Sequence, residues 1–171
     1  MENLVESMFA HNLRASQDFG SSQARYDRRN YLTHHPTEIL VLKCMDGRLS
    51  LTGMSEAPAG IIRPFRNIGG RFDLGWPNFS NEVEEVITRA LQQRRNVLVL
   101  TTYHFSKGDD HRGCAGFHYD TEAAHASAER LRDQFERVFG NGKPPVFSVV
   151  VEIETDEDTL TFLNRKGERF S

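Results

Sequence analysis

Cysteine is scarce: the 171 residues hold two, Cys44 and Cys114. Two thiols cannot build a disulfide framework, so covalent cross-links do not define this fold. No uninterrupted apolar stretch reaches the roughly 20 residues of a membrane helix, which predicts no membrane partner. Excess charge is missing too, with a formal net charge of −3, which argues against nucleic acid as a partner. The opening Met1-Glu2-Asn3-Leu4 lacks a basic region followed by an apolar run, so no secretory leader is expected. Reduced thiols without an export signal predict a cytoplasmic protein. Internal repeats and low-complexity tracts are also lacking. The length fits one domain with a real core.

What is present alternates between strand and helix. Leu4, Val5, Met8, Phe9 and Leu13 fall on one face of a helix over residues 2–14. Its apolar face has two candidate partners, a second subunit or its own domain. The polar stretch 15–30 reads as a loop with a second short helix. His34-His35-Pro36 reads as a turn before a strand, and a solvated histidine pair there outweighs a metal site. Ile39–Leu42 is a buried strand, and 50–60 a loop with at most a helical turn. Ile61-Ile62 suggests another strand, followed by Gly69-Gly70, where the backbone is free to take positive φ. Residues 80–93 form a helix with Ser80 as its cap. Val97–Leu100 is a strand that ends in Thr101–Phe105. Residues 106–113 are a polar loop, and 120–139 a helix with Thr121 as cap, stopped by Gly140-Asn141-Gly142. Val146–Ile153 is a valine-rich strand, Asp156–Asp158 a solvated turn, and Thr159–Leu163 an edge strand. This order predicts an α/β fold with a mainly parallel central sheet flanked by helices.

The chemistry gathers where strands end. Cys44, Asp46 and Arg48 follow the first strand at alternating positions, which on an extended chain sends them to one face. Cys114 comes shortly after the Val97–Leu100 strand, with histidines nearby. Two cysteines and one histidine make a tetrahedral zinc site with a fourth position left for water. The bland alternative is a pair of unrelated buried thiols acting as small core hydrophobes. Burying Asp46 and Arg48 beside Cys44 without a purpose is expensive, which favours a site.

Cys44-x-Asp46-x-Arg48, Arg66-Asn67-x-Gly69-Gly70, and a histidine with Cys114 after the next strand resemble the β-class carbonic anhydrases, in that family's order, over roughly residues 36–153. The resemblance implies zinc (Zn2+) held by Cys44, Cys114 and one histidine, and CO2 and bicarbonate as substrate and product. It implies an Asp46–Arg48 dyad, with Asp46 able to swing onto the metal in a closed state. It implies a homodimer or higher homo-oligomer, with residues 1–35 as a helical arm reaching the partner and 36–171 as a single catalytic domain. Family members usually place the histidine directly after the strand and three residues before the second cysteine. Here His104 has the position and His111 the spacing. His104 is preferred because a strand end is a better-preorganised platform than a polar loop; His111 is the alternate. Asp46-Gly47-Arg48 and Arg112-Gly113-Cys114-Ala115 resemble the carboxysomal shell carbonic anhydrases, which are much longer chains. Association with a carboxysome shell would follow from that branch alone. Two other functions share these residues: hydrolysis of carbon disulfide or carbonyl sulfide, and zinc binding without catalysis.

Overall fold

The computed structural model describes residues 2–140 and 144–170. Its centre is a five-stranded sheet in the order β2-β1-β3-β4-β5. The strands are β1 (Thr37–Cys44), β2 (Ile62–Asn67), β3 (Asn96–Phe105), β4 (Val146–Glu154) and β5 (Thr159–Leu163). The first four are parallel, as the expected mainly parallel sheet requires, and the expected edge strand β5 joins antiparallel. β1 and β3 read as continuous apolar runs because both of their faces are covered. Leu40, Leu42, Val97 and Val99 pack with Val83, Ile87, Leu131 and Phe135 of two helices, α4 (Pro77–Gln92) and α5 (Thr121–Phe135). Ile39, Val41, Leu100 and Val149 pack with Leu49 and with Leu51 of the one-turn helix α3 (Leu51–Met54).

The N-terminal region is more helical than expected. Helix α1 spans Glu2–Gly20 and α2 spans Ser22–His34, separated by Ser21, whose hydroxyl accepts from Ala24 N and caps α2. The predicted loop over 15–30 is therefore helix, and His34 lies in the last turn of α2 rather than in a turn before β1. A single capped residue between two helices leaves no periodicity break for the sequence to show. Two other caps shift. α4 begins at Pro77, a proline at its first position, so Ser80 is interior. α5 is capped by Asp120, whose carboxylate accepts from Ala123 N, rather than by Thr121. α5 passes into a π-turn over Glu136–Gly140. Asn141 and Gly142 of the predicted stop lie outside the described residues.

The sheet order positions the site. From β1 the chain first builds β2 on one side, then returns to place β3 and β4 on the other. In a parallel sheet such a reversal opens a crevice at the carboxyl ends of the two strands between which it occurs. Those strands are β1, which ends at Cys44, and β3, which carries His104.

Candidate metal centre

Cys44, His104 and Cys114 converge in that crevice, all three buried. Their ligand atoms lie within 4.8 Å of one another. The two sulfurs are 4.0 Å apart. Tetrahedral zinc with bonds of about 2.3 Å to sulfur places two thiolates about 3.8 Å apart, so the pair fits such an ion with little adjustment. His104 is 2% exposed, and neither ring nitrogen has a hydrogen-bond partner among the described residues. A buried imidazole with both nitrogens idle is costly, and a metal bond would relieve it. The donor set and this orphaned ring both suit zinc. The Cys114 thiol donates to Cys44, which lowers the Cys44 pKa and raises that of Cys114. Backbone hydrogen bonds from Asp46 and Gly69 further favour a thiolate at Cys44.

His111 stands apart from this cluster. Its side chain is 86% exposed, at the mouth of a pocket of about 560 Å³. Its ring lies 5.7 Å from that of Tyr119, and its backbone N–H donates to Asp109 Oδ1. Cys44, Met45, Asp46, Arg48, Ile68 and His104 line the same pocket.

Asp46 and Arg48 meet by a different route from the one predicted. β1 ends at Cys44, so strand alternation does not continue through residues 45–48. A turn replaces it: Asp46 Oδ1 accepts from Arg48 N at 2.9 Å, and Leu49 N donates to Asp46 O at 3.3 Å. An aspartate bonding the backbone two residues on is a local turn-former. The Arg48 guanidinium then closes on the same carboxylate, Nε to Oδ1 at 3.1 Å and Nη2 to Oδ2 at 2.6 Å. Arg48 lowers the Asp46 pKa to about 2. With both oxygens on Arg48, Asp46 is not one of the clustered donors.

Glycines close the floor. Gly69 and Gly70 take φ of 70° and 62°. A Cβ on Gly70 would stand 3.2 Å from Cys44 N. Gly116 is tighter still: a Cβ there would stand 2.6 Å from both N and Cα of Gly69. In the sequence Gly116 carries one signal, a glycine two residues past a candidate ligand. His118 and Tyr119 carry no such signal, yet they are consecutive non-glycine residues at φ of 52° and 67°. Such backbone is sparsely populated, and it brings the chain back so that Tyr119 N donates to Cys114 O at 3.0 Å.

No protein-family model matches the chain, and no curated protein matches its sequence. Solved structures do. The β-carbonic anhydrase CcaA is 11% identical with a TM-score of 0.64, over 96% of this chain and 92% of that one. A tetrameric β-carbonic anhydrase from the filamentous ascomycete Sordaria macrospora is 10% identical with a TM-score of 0.64, over all of both chains. The Coccomyxa β-carbonic anhydrase, solved with acetazolamide, is 12% identical with a TM-score of 0.58, over 94% of this chain and 86% of that one. This chain has the fold of the β-carbonic anhydrases.

Proposed function

We propose that the protein is a zinc-dependent carbonic anhydrase, a lyase interconverting CO2 and bicarbonate. The observation that carries this is the orphaned His104 ring, buried against two thiols 4.0 Å apart. Cys44, His104 and Cys114 would hold the ion. A zinc ion held there would supply Lewis-acid activation of water, bringing its pKa to about 7.

The chain's own residues then have defined tasks. Asp46 stays ionised because Arg48 holds both of its oxygens, so it can accept a hydrogen bond from the nucleophile and fix its orientation. Arg48 also keeps that carboxylate from drifting to the donors. Ile68, Met45 and Ala115 give the pocket apolar lining, suited to a small uncharged substrate. Hydration of CO2 yields bicarbonate and one proton, and His111 at the mouth offers an imidazole to pass that proton to solvent.

The arm, residues 1–35, and the catalytic domain, 36–171, assemble as a homo-oligomer in this reading. The exposed apolar face of α1 supports it, as does the tetrameric Sordaria relative. Two buried free cysteines suit a reducing, cytoplasmic setting. Among the described residues, no helix is long and apolar enough to cross a membrane.

The test is zinc analysis with a CO2 hydration assay before and after chelation, beside headspace assays with carbon disulfide and carbonyl sulfide. Chelator-sensitive hydration with one zinc per chain is expected. Sulfide release without CO2 hydration would overturn the substrate, and a zinc protein idle in all three assays would overturn catalysis.

A further inference from the structure

We propose that Asp156, in the turn between β4 and β5, is a positioning residue that sets the Arg48 guanidinium through the loop 106–113. The inference rests on the roles given above to Asp46 and Arg48.

Asp46 and Arg48 belong to one short turn, so their mutual pair fixes neither against the rest of the molecule. The external hold on Arg48 comes from far along the chain. Arg48 Nη2 donates to the Arg112 carbonyl at 2.8 Å, and Nη1 reaches Thr155 Oγ1 at 3.5 Å. The position of that carbonyl depends on the loop, and the loop is tied to Asp156 at both ends. At its start, Ser106 Oγ and Gly108 N donate to Asp156 Oδ2 at 2.7 and 2.8 Å. At its end, Arg112 Nη1 lies 3.5 Å from Asp156 Oδ1. One carboxylate thus spans the loop and faces the residue whose carbonyl receives Arg48.

The turn that carries Asp156 is itself well anchored. Glu154 is 2% exposed and accepts from Lys107 N, Asp156 N and Glu157 N at 3.2, 3.0 and 2.8 Å. Thr155 Oγ1 donates to Phe105 O at 3.0 Å. Asp156 is absent from the pocket lining, so its influence runs through the main chain of the loop. A loop between two candidate ligands, His104 and Cys114, thereby also serves the dyad.

The test uses the zinc-loaded full chain. Asp156→Ala should keep one zinc per chain and lower kcat for CO2 hydration on the order of tenfold, since misorientation is what is lost. Asp156→Asn, which keeps an acceptor for Ser106 and Gly108, should recover most of that loss. It also carries the comparison if the alanine variant does not fold. Arg48→Ala with Asp156→Ala should be no slower than Arg48→Ala alone, because both changes act on one group. Trypsin gives a readout independent of activity. Cleavage after Arg112 should quicken in Asp156→Ala and in Arg48→Ala alike, since each releases the loop. Parent kcat in Asp156→Ala, losses that multiply in the double variant, or cleavage at the parent rate in Arg48→Ala would each overturn the inference. So would loss of zinc from Asp156→Ala, which would make the loop's role one of holding the metal. A parent that hydrates no CO2 would count against the proposed function instead, and the cleavage comparison would then decide this inference alone.

Discussion

At the residue scale, the proposed function divides the site into donors and orienters, and the two kinds should fail differently. Cys114→Ser should lose zinc and CO2 hydration together, because an alcohol is a poor zinc ligand at neutral pH. A serine variant with full zinc and full turnover would remove Cys114 from the centre. Asp46→Asn should keep its zinc and slow turnover on the order of a hundredfold, since an amide can present its NH2 where an acceptor is needed. Unchanged turnover in that variant would take Asp46 out of the reaction. Lys43, beside Cys44 in sequence, makes a separate prediction. It is 3% exposed, its ammonium donates to the Leu49 carbonyl, and burial followed by the Arg66 charge lowers its pKa from 10.5 to about 8. Below pH 8 the fold carries the cost of a buried charge. Between the folded and unfolded pKa values the unfolded chain binds more protons, so stability rises with pH. The parent should therefore gain on Lys43→Met by up to about 3 kcal/mol as pH climbs from 8 to 10.5. Urea midpoints of the two proteins measure this, and a pH-independent difference between them would sink it. The meeting of Cys44, His104 and Cys114 was legible from sequence because few residue types suit a metal and these stand at or just past strand ends. Lys43 was not, because a lysine inside a parallel strand carries no mark of its burial.

At the scale of elements, the strands were legible because their apolar runs match their burial, and the helix caps were not. Pro77 and Asp120 stand just ahead of Ser80 and Thr121, and all four precede the first buried residues Val83 and Ala124, so the apolar period does not choose between them. The turn at 45–48 shows a second limit. Alternation predicted that Asp46 and Arg48 would converge, and they do, through an aspartate turn instead. The loop 106–113 shows a third, since its anchors at 154–156 lie nearly 50 residues away. The contact between Gly69 and Gly116 joins two such loops, and it makes a sharp prediction. A methyl at Gly116 would strike backbone atoms 2.6 Å away, which cannot rotate aside. Gly116→Ala should destabilise by about 1–3 kcal/mol or more, as overpacking does. For a chain of this size each kcal/mol moves Tm by about 2–4 °C. A melt matching the parent's would show that the two loops have room to part.

At the scale of the whole molecule, α1 leaves its apolar face uncovered by the other described residues. Leu4, Val5, Met8, Phe9 and Leu13 repeat along one face and are 55–69% exposed. Helix α2 likewise has no buried residue. An apolar stripe of this length facing water is a liability unless another surface covers it. The opposite need exists on the sheet, where Leu98, Phe147, Leu160, Phe162 and Phe170 line an open groove along β3–β5. A second copy of the chain supplies both surfaces at once, and exchange of arms would cover each copy's stripe reciprocally. Carboxylates placed in the stripe would have to be buried unpaired on assembly, at a cost of several kcal/mol each. Met8→Glu with Phe9→Glu should therefore shift the protein from oligomer to monomer, while circular dichroism retains the α/β signature. Light scattering coupled to size exclusion measures the mass directly. A parent that is already monomeric, or a double variant of parent mass, would show that α1 packs elsewhere and that the arm is no part of the assembly.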